Sequence, residues 1–416
     1  LISRTRYQVL IKKLFIIPPS LKLYWRIILP VIFLCVVSLF LLKSTSNQAA
    51  FFNSTLFRQM IWILAGAIGI VIIQYLRIQL FYEFGYFFYG FLIFLLILTM
   101  FMPTISGAKR WIMLGPINFQ PSEIGKIIVI FVLAKFLSDR REIQNSWMVI
   151  LISITLALVP ALLVFKQPDL GTAIVYLAVT IPMLYWVGVK PFYLFIVIAP
   201  IVSILAASNL ISFYIWIIII LITLFIIRPK LKYGILILVM NISFGTLTSF
   251  IWSNLYPHQR ERVLTFLDPM KDPHGAGYQI IQSMTAIGSG GLTGKGFGLG
   301  TQTHLRFLPV RDTDFILSVA GEEFGFLGIL LILGLFLSLF FWMITYAQKI
   351  TNKFASLSII GFASLLFVHL FINLSMTIGI FPVTGLPAPF ISYGGTFLLT
   401  CLCIIGITNN IISQNI

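Results

Sequence analysis

The feature that most constrains this chain is a succession of apolar runs, each long enough to cross a lipid bilayer as a helix. A hydrocarbon core takes about 20 apolar residues per helix. Twelve runs of that order fall at 25–42, 59–75, 84–102, 122–137, 147–165, 172–189, 191–207, 210–227, 235–252, 315–346, 357–380 and 393–408. Inside lipid the backbone must satisfy its own hydrogen bonds, so such runs fold as helices. The fold class expected is all-α, a polytopic integral membrane bundle of ten to twelve transmembrane helices with one large extracytoplasmic loop. The run from 315 exceeds a single crossing, and its first turns are expected to stand apart or tilt. Composition agrees, with 59% hydrophobic and 10% charged residues. A soluble domain carries about 25% charged residues, and disorder needs low hydrophobicity, so both are excluded.

The net charge is +16, from 28 Lys and Arg against 12 Asp and Glu. In a soluble protein this would suggest nucleic acid. Here the cations lie between apolar spans, where they orient a membrane protein, and no nucleic-acid partner is expected. Arg4, Arg6, Lys12, Lys13, Lys22 and Arg26 open the chain. If the spans alternate, Arg77, Lys135, Arg140, Arg141, Lys190, Arg228, Lys230, Lys232, Lys349 and Lys353 lie on that same side. The positive-inside rule then places both termini in the cytoplasm. The chain divides into a basic arm (1–24), an N-terminal transmembrane bundle (25–252), a large extracytoplasmic loop (253–314) and C-terminal transmembrane helices (315–416). The spans within 191–252 hold almost no ionisable residues and read as lipid-facing packing elements. Cys35, Cys401 and Cys403 sit in apolar runs, without disulfide or metal-ligand spacing. No cleavable signal peptide is expected, and the start at Leu1 leaves the native N-terminus open.

The residues with chemical potential gather in the outer loops. The long loop is rich in glycine and charge yet also carries Val263, Leu264, Phe266, Ile280, Ile281 and Ile287. It is expected to fold back over the bundle with short amphipathic pieces, since long loops of this kind are functional or disordered. Its glycine run fails the phosphate-loop pattern. Lys295 follows Gly294, but Ser289 stands where the first glycine belongs and Gly296 where Ser or Thr belongs. Glycine is therefore expected to serve tight turns and close backbone approach. In the first outer loop Lys109 and Arg110 suit an anionic ligand, while Trp111 with snorkelling cations also fits a plain interfacial anchor. Pro121 and Ser122 read as a helix start. Glu123 and Lys126, three apart, then share a helix face at a depth where ionisable groups pair or serve function. Asp169 suits the N-cap of the following helix, or a cation. Asp312 with Asp314, and Glu322 with Glu323, are close carboxylates of the type that hold a hard divalent cation; solvent exposure explains the first pair equally well. His369 and Asn373, four apart, read as a polar pair between helices. The uncharged, proline-rich stretch before Tyr393 is expected to be re-entrant or tightly packed.

QPSEIGKI, KQPDLGTA, DPHGAGYQIIQS, GEEFGFLG and SYGG occur in order, with AIGSGGLTGKG and GLP between them. Together they resemble the SEDS family (shape, elongation, division and sporulation), from the first outer loop to Gly395. GAGYQ, AIGSGGLTGKG and His369 before INL resemble its RodA branch more than its FtsW branch. One departure is that the family core has ten helices, so 191–252 reads as including an inserted helix pair. The resemblance implies a peptidoglycan glycosyltransferase of the bacterial inner membrane, acting in lateral wall elongation and cell shape. Such enzymes polymerise lipid II outside the membrane into β-1,4 glycan, releasing undecaprenyl pyrophosphate with inversion. It implies Asp272 as the catalytic base that takes the acceptor hydroxyl proton, with Asp268 the neighbouring alternative. A single carboxylate with a displaced pyrophosphate suits direct inversion. Cations should converge where the pyrophosphate leaves: Arg58, Lys109, Arg110, Lys126, Arg260 and Arg262 are the substrate-binding candidates, joined by Trp111 and Glu123. No resident metal site is read from the residues, and a divalent cation, Mg or Mn, stays open as a cofactor. The partners implied are lipid II, the undecaprenyl-linked strand, membrane lipids and a class B penicillin-binding protein, a transpeptidase expected near 315–328 and 380–393. An FtsW-like division enzyme, a lipid II flippase and a non-catalytic scaffold are the alternatives. A flippase needs polar residues through the full membrane depth, whereas the ionisable residues here concentrate at the outer face.

Overall fold

In the computed structural model, the residues described are 22–46, 52, 54–103, 109–114, 117–140, 147–207, 209–254, 260, 268–271, 273, 277–304 and 307–416. The first helices are α1 (Trp25–Thr45), α2 (Thr55–Ile73), the short α3 (Gln79–Glu83) and α4 (Gly85–Thr99). A two-stranded ribbon follows, β1 (Ile112–Leu114) and β2 (Ile117–Phe119). Then come α5 (Pro121–Ser138), α6 (Trp147–Lys166), α7 (Leu170–Trp186), α8 (Pro191–Ala206), α9 (Leu210–Ile227) and α10 (Leu231–Asn254). The long loop contains α11 (Tyr278–Gly290) and α12 (Thr301–His304), and the chain ends with α13 (Ile316–Lys349), α14 (Lys353–Thr377) and α15 (Gly395–Asn415).

Each of the twelve apolar runs is a helix. Among the described residues, eight helices are long and apolar enough to cross a membrane, and α4, α7 and α8 are shorter apolar helices. The remaining one, α5, spans 18 residues and carries Glu123, Lys126 and Lys135. The starts follow local chemistry. Ser54, Asp169 and Asn352 each accept a backbone N–H from the first turn of α2, α7 and α14. Pro121 and Pro191 open α5 and α8, where the missing N–H costs nothing. Asp169 is therefore the N-cap that its position predicted.

The ribbon is an addition to the all-helical expectation. Ile112 pairs with Phe119, Met113 with Asn118 and Leu114 with Ile117, antiparallel. It forms at one end of the bundle, between α4 and α5, and marks what is called here the hairpin end.

Burial sorts the helices into an inner and an outer set. In α14 and α15, 83% and 78% of the apolar window is buried, as expected of helices hydrophobic all round. They lie against α5, α7 and α13 on one side and α2 on the other. In contrast, Ile220 is the one buried residue of α9 among those described. The α8–α10 group is held together internally by polar contacts: Ser203 Oγ donates to Asn241 Oδ1 (2.7 Å) and Trp216 Nε1 to Ser203 Oγ (2.9 Å). Polar side chains joining apolar helices in this way suit a lipid environment, and α9 is exposed along nearly all of its apolar length.

The over-long run from 315 resolves into two parts. Gly325 has φ +64° and breaks the helical path of α13. The segment before it is buried against α11, where Ser283 and Ser318 hydroxyls meet at 2.6 Å.

Candidate active site at the hairpin end

The first turn of α5 is pinned before any ionisable group is placed. Tyr176 of α7 donates its hydroxyl to Ser122 O (2.9 Å). A Cβ at Gly125 would collide with that hydroxyl, so only glycine admits this approach of α7 to α5. Lys126 then points into the bundle. Its Nζ lies 3.0 and 2.9 Å from the two carboxylate oxygens of Glu123 and 3.0 Å from His369 Nε2 on α14. An ammonium has three donors and no acceptor, so His369 is neutral and accepts at Nε2. The three side chains are nearly inaccessible, with 7%, 2% and 1% exposure for Glu123, Lys126 and His369. The Phe397 ring closes this cluster, 4.7 Å from the His369 ring and 5.1 Å from Lys126 Nζ. The Glu123–Lys126 pair is thus the buried i,i+3 pair that the spacing predicted, and it sits where charge is costly unless paired.

His369 and Asn373 differ from expectation. They share a face of α14 but do not serve each other: His369 reaches α5, while Asn373 Nδ2 donates to Asp314 O (2.9 Å) and Leu386 O (2.7 Å). Each side chain crosses to a different neighbouring segment, a choice that spacing along one helix does not encode.

Arg110 is drawn to the α6–α7 turn. Its guanidinium donates to Gln167 O (3.1 Å) and Pro168 O and lies 3.5 Å from Asp169 Oδ2, which Gln120 Nε2 also approaches. Gln167 in turn donates to Leu96 O and Thr99 Oγ1. Arg110 therefore ties the ribbon to the bundle, and Asp169 serves as cap and counter-ion together. Lys109 is exposed beside it and Trp111 half-buried. Arg58 is exposed in the first turn of α2. Arg260 is half-buried and donates to Ser253 O (2.7 Å). Asp268 Oδ1 accepts from Met270 N (3.2 Å) and starts the turn that leads toward 272. Asp272 and Arg262 lie outside the described residues.

The glycine-rich segment after α11 is a backbone clamp. Lys295 N and Gly296 N donate to Glu322 O and Glu323 O, both at 3.0 Å, and Phe326 N and Leu327 N donate back to Gly291 O and Leu292 O. Gly294 has φ +81°, and a Cβ there or at Gly325 would strike the opposite strand of this clamp. The expected use of glycine for close approach is met. Glu322, fully buried, takes Lys295 Nζ (2.8 Å), Gln302 N (2.9 Å) and Thr303 N (3.1 Å). Glu323 accepts from Ser44 of α1. These two carboxylates are anchors. Asp312 likewise binds structure: its Oδ2 accepts from Thr55 and its backbone carbonyl from Tyr393 N. Among the described residues, no group of three or more His, Cys, Asp or Glu is placed to hold a metal ion. Glu322–Lys295 and His369–Lys126 are buried polar contacts that sequence reasoning did not pair, since each joins residues distant along the chain.

Fold and site together define a multi-pass helical membrane protein with a buried Glu–Lys–His cluster between its helices. The family model described as Cell cycle protein (FTSW_RODA_SPOVE) matches residues 20–216 and 190–415. The chain belongs to this FtsW/RodA/SpoVE family, the one its motifs resemble. It is 37% identical over 306 residues to the peptidoglycan glycosyltransferase MrdB of Escherichia coli K12, covering 74% of this chain and 71% of that one. It is 32% identical over 355 residues to the peptidoglycan glycosyltransferase RodA of Treponema pallidum (78% and 81% covered). It is 33% identical over 328 residues to a probable peptidoglycan glycosyltransferase FtsW of a Geobacter species (76% of each). Among solved structures, a chain from work on coordination of polymerization and crosslinking by a peptidoglycan synthase complex superposes with TM-score 0.72 at 28% identity, covering 95% of this chain and 99% of that one. Thermus thermophilus RodA superposes with TM-score 0.63 at 24% identity (95% and 98% covered), a likeness of fold.

Proposed function

We propose that this chain is a RodA-type peptidoglycan glycosyltransferase, polymerising lipid II with release of undecaprenyl pyrophosphate. The observation that carries this reading is its similarity, over about three quarters of the chain, to relatives named for that activity. The reaction needs a base for the acceptor hydroxyl and positive charge where the pyrophosphate departs. Asp272 is the base in this reading. Lys109, Arg58, Arg260 and Arg262 are the cations that meet the departing group, and Trp111 lies against a sugar. Arg110 holds the ribbon in place through the α6–α7 turn, and Lys126 with Glu123 and His369 fixes the charged floor beneath it. Relatives named RodA and FtsW both match, so an FtsW-like division role is no better supported than the elongation role, and the placement of ionisable residues at one end favours chemistry there over transport.

The same reading places both termini in the cytoplasm and the hairpin end outside, in agreement with the basic inner segments. It assigns a class B penicillin-binding protein as partner; the structural neighbour from a peptidoglycan synthase complex supports an assembly of that kind. It divides the chain as 1–24, 25–252, 253–314 and 315–416. The overlap of the two family matches over 190–216 supports an added helix pair within 191–252.

The deciding experiment is polymerisation of lipid II by purified protein, alone and with the transpeptidase. Polymer is expected, and Asp272→Ala should lower the rate by about a hundredfold or more, the usual contribution of a general base. Failure of the wild-type protein in both arms would remove the glycosyltransferase reading. A fully active Asp272→Ala would remove the base.

A further inference from the structure

At the end opposite the hairpin, a cleft of about 780 Å³ opens between the α2–α3 link, the end of α5, the start of α14 and the end of α15. Gln414 and Asn415 of α15 line one wall, and side-chain amides of this helix hold the adjoining turn. Asn410 Nδ2 donates to Ile73 O (2.6 Å) and Leu76 O (2.8 Å), Gln414 Nε2 to Leu76 O (2.9 Å), and Asn409 Nδ2 to Gln74 Oε1 (3.0 Å). These contacts close the end of α2 and fix the turn that carries Arg77. On another wall Tyr82 donates its hydroxyl to Asp139 Oδ1 (2.7 Å). Arg77 and Lys353 both line the cleft. Arg77 is half-buried and Lys353 exposed, and neither side chain has a hydrogen-bond or ion-pair partner among the described residues. The nearby cations are already engaged: Lys135 Nζ donates to Glu83 O, and Arg140 lies over the Phe136 ring. Among the described residues, the cleft thus presents two unpaired cations, Arg77 and Lys353, against one hydrogen-bonded carboxylate, Asp139.

The aromatic residues at this end point to the ligand source. Tyr75, Tyr82 and Tyr86 cluster at the same end of the helices, and tyrosine collects at the headgroup level of a bilayer. Basic pockets between transmembrane helices bind anionic headgroups. We propose that this cleft binds a phosphate-bearing anion, specifically the phosphodiester headgroup of an anionic phospholipid, with Arg77 and Lys353 on its oxygens. The net single positive charge of the lining matches a phosphodiester monoanion and gives no advantage to a zwitterionic headgroup. This site is remote from the hairpin end, and the inference does not depend on the reaction proposed there.

Native mass spectrometry of the purified full chain tests it, with phosphatidylglycerol, phosphatidylethanolamine or inorganic phosphate as the added ligand. Preferential retention of phosphatidylglycerol is expected. Arg77→Gln with Lys353→Gln should lower that retention on the order of thirtyfold, from two lost cations. An unshifted melting temperature will show that the double variant is folded. Lys230→Gln with Lys232→Gln, which removes basic residues at the same end but outside the cleft, should leave retention unchanged. The proposal is overturned if the first double variant binds like wild type, or if the second loses as much. Displacement of the lipid by equimolar inorganic phosphate would reassign the site to a soluble phosphate and overturn the lipid source.

Discussion

The Lys126 ammonium is a buried charge held by the Glu123 carboxylate and by His369 Nε2. Removing it leaves Glu123 buried and unpaired, which typically costs about 3–5 kcal/mol. Lys126→Met is therefore expected to lower the melting temperature sharply, whereas Glu123→Leu with Lys126→Met should recover most of the loss. A double-variant melt as low as the single one would show that the pair is not the stabilising unit. Asp314 behaves differently. Burial pushes its carboxyl up, against a smaller lowering by the Thr313 hydroxyl. A carboxyl raised in the folded state binds protons more tightly there than in the unfolded chain. Its contribution to stability is thus fully present below the unfolded value of about 4 and is lost as pH rises through the folded value. Asp314→Asn should remove that pH-dependent loss, read as a flatter profile of melting temperature above pH 4. At this scale the sequence revealed the Glu123–Lys126 spacing and the Asp169 cap, because both are local. It did not reveal that His369 completes the lysine or that Arg110 turns toward residues 167–169, since those partners lie far along the chain.

The broken helix α13 and the glycine clamp form one element-scale device. Gly294 and Gly325 hold positive φ where backbones touch, so a side chain at either is both strained and in collision. Strain of this kind costs about 1–3 kcal/mol before any clash. Gly325→Ala is expected to release the segment 290–304 from α13, seen as faster amide hydrogen exchange there while α14 stays protected. Unchanged exchange would mean that the clamp does not depend on this glycine. The glycine-rich composition announced close approach, and the failure of the phosphate-loop pattern was also legible. Which backbone the glycines approach was not, because it depends on how α11 and the start of α13 fold together. The ribbon at 112–119 was likewise unforeseen: its strands are too short for alternation to stand out from the surrounding loop.

For the molecule as a whole, alternation of twelve spans predicts that the hairpin end and the Arg77–Lys353 cleft face opposite sides of the membrane. Single cysteines replacing Lys109 and Lys353 should be labelled by an impermeant reagent from opposite sides of oriented vesicles, with position 109 exposed outside the cell. Labelling of both from one side would refute the topology. The sequence by itself determined the membrane class, the order of the apolar helices and the family, because lipid dictates length and hydrophobicity span by span and the motifs are contiguous. Only the tertiary structure decided which helices are central, which ionisable groups meet, and where a cleft is left open. Nearly uniform apolar helices carry little facial pattern, so their packing is set by a few polar contacts between segments hundreds of residues apart.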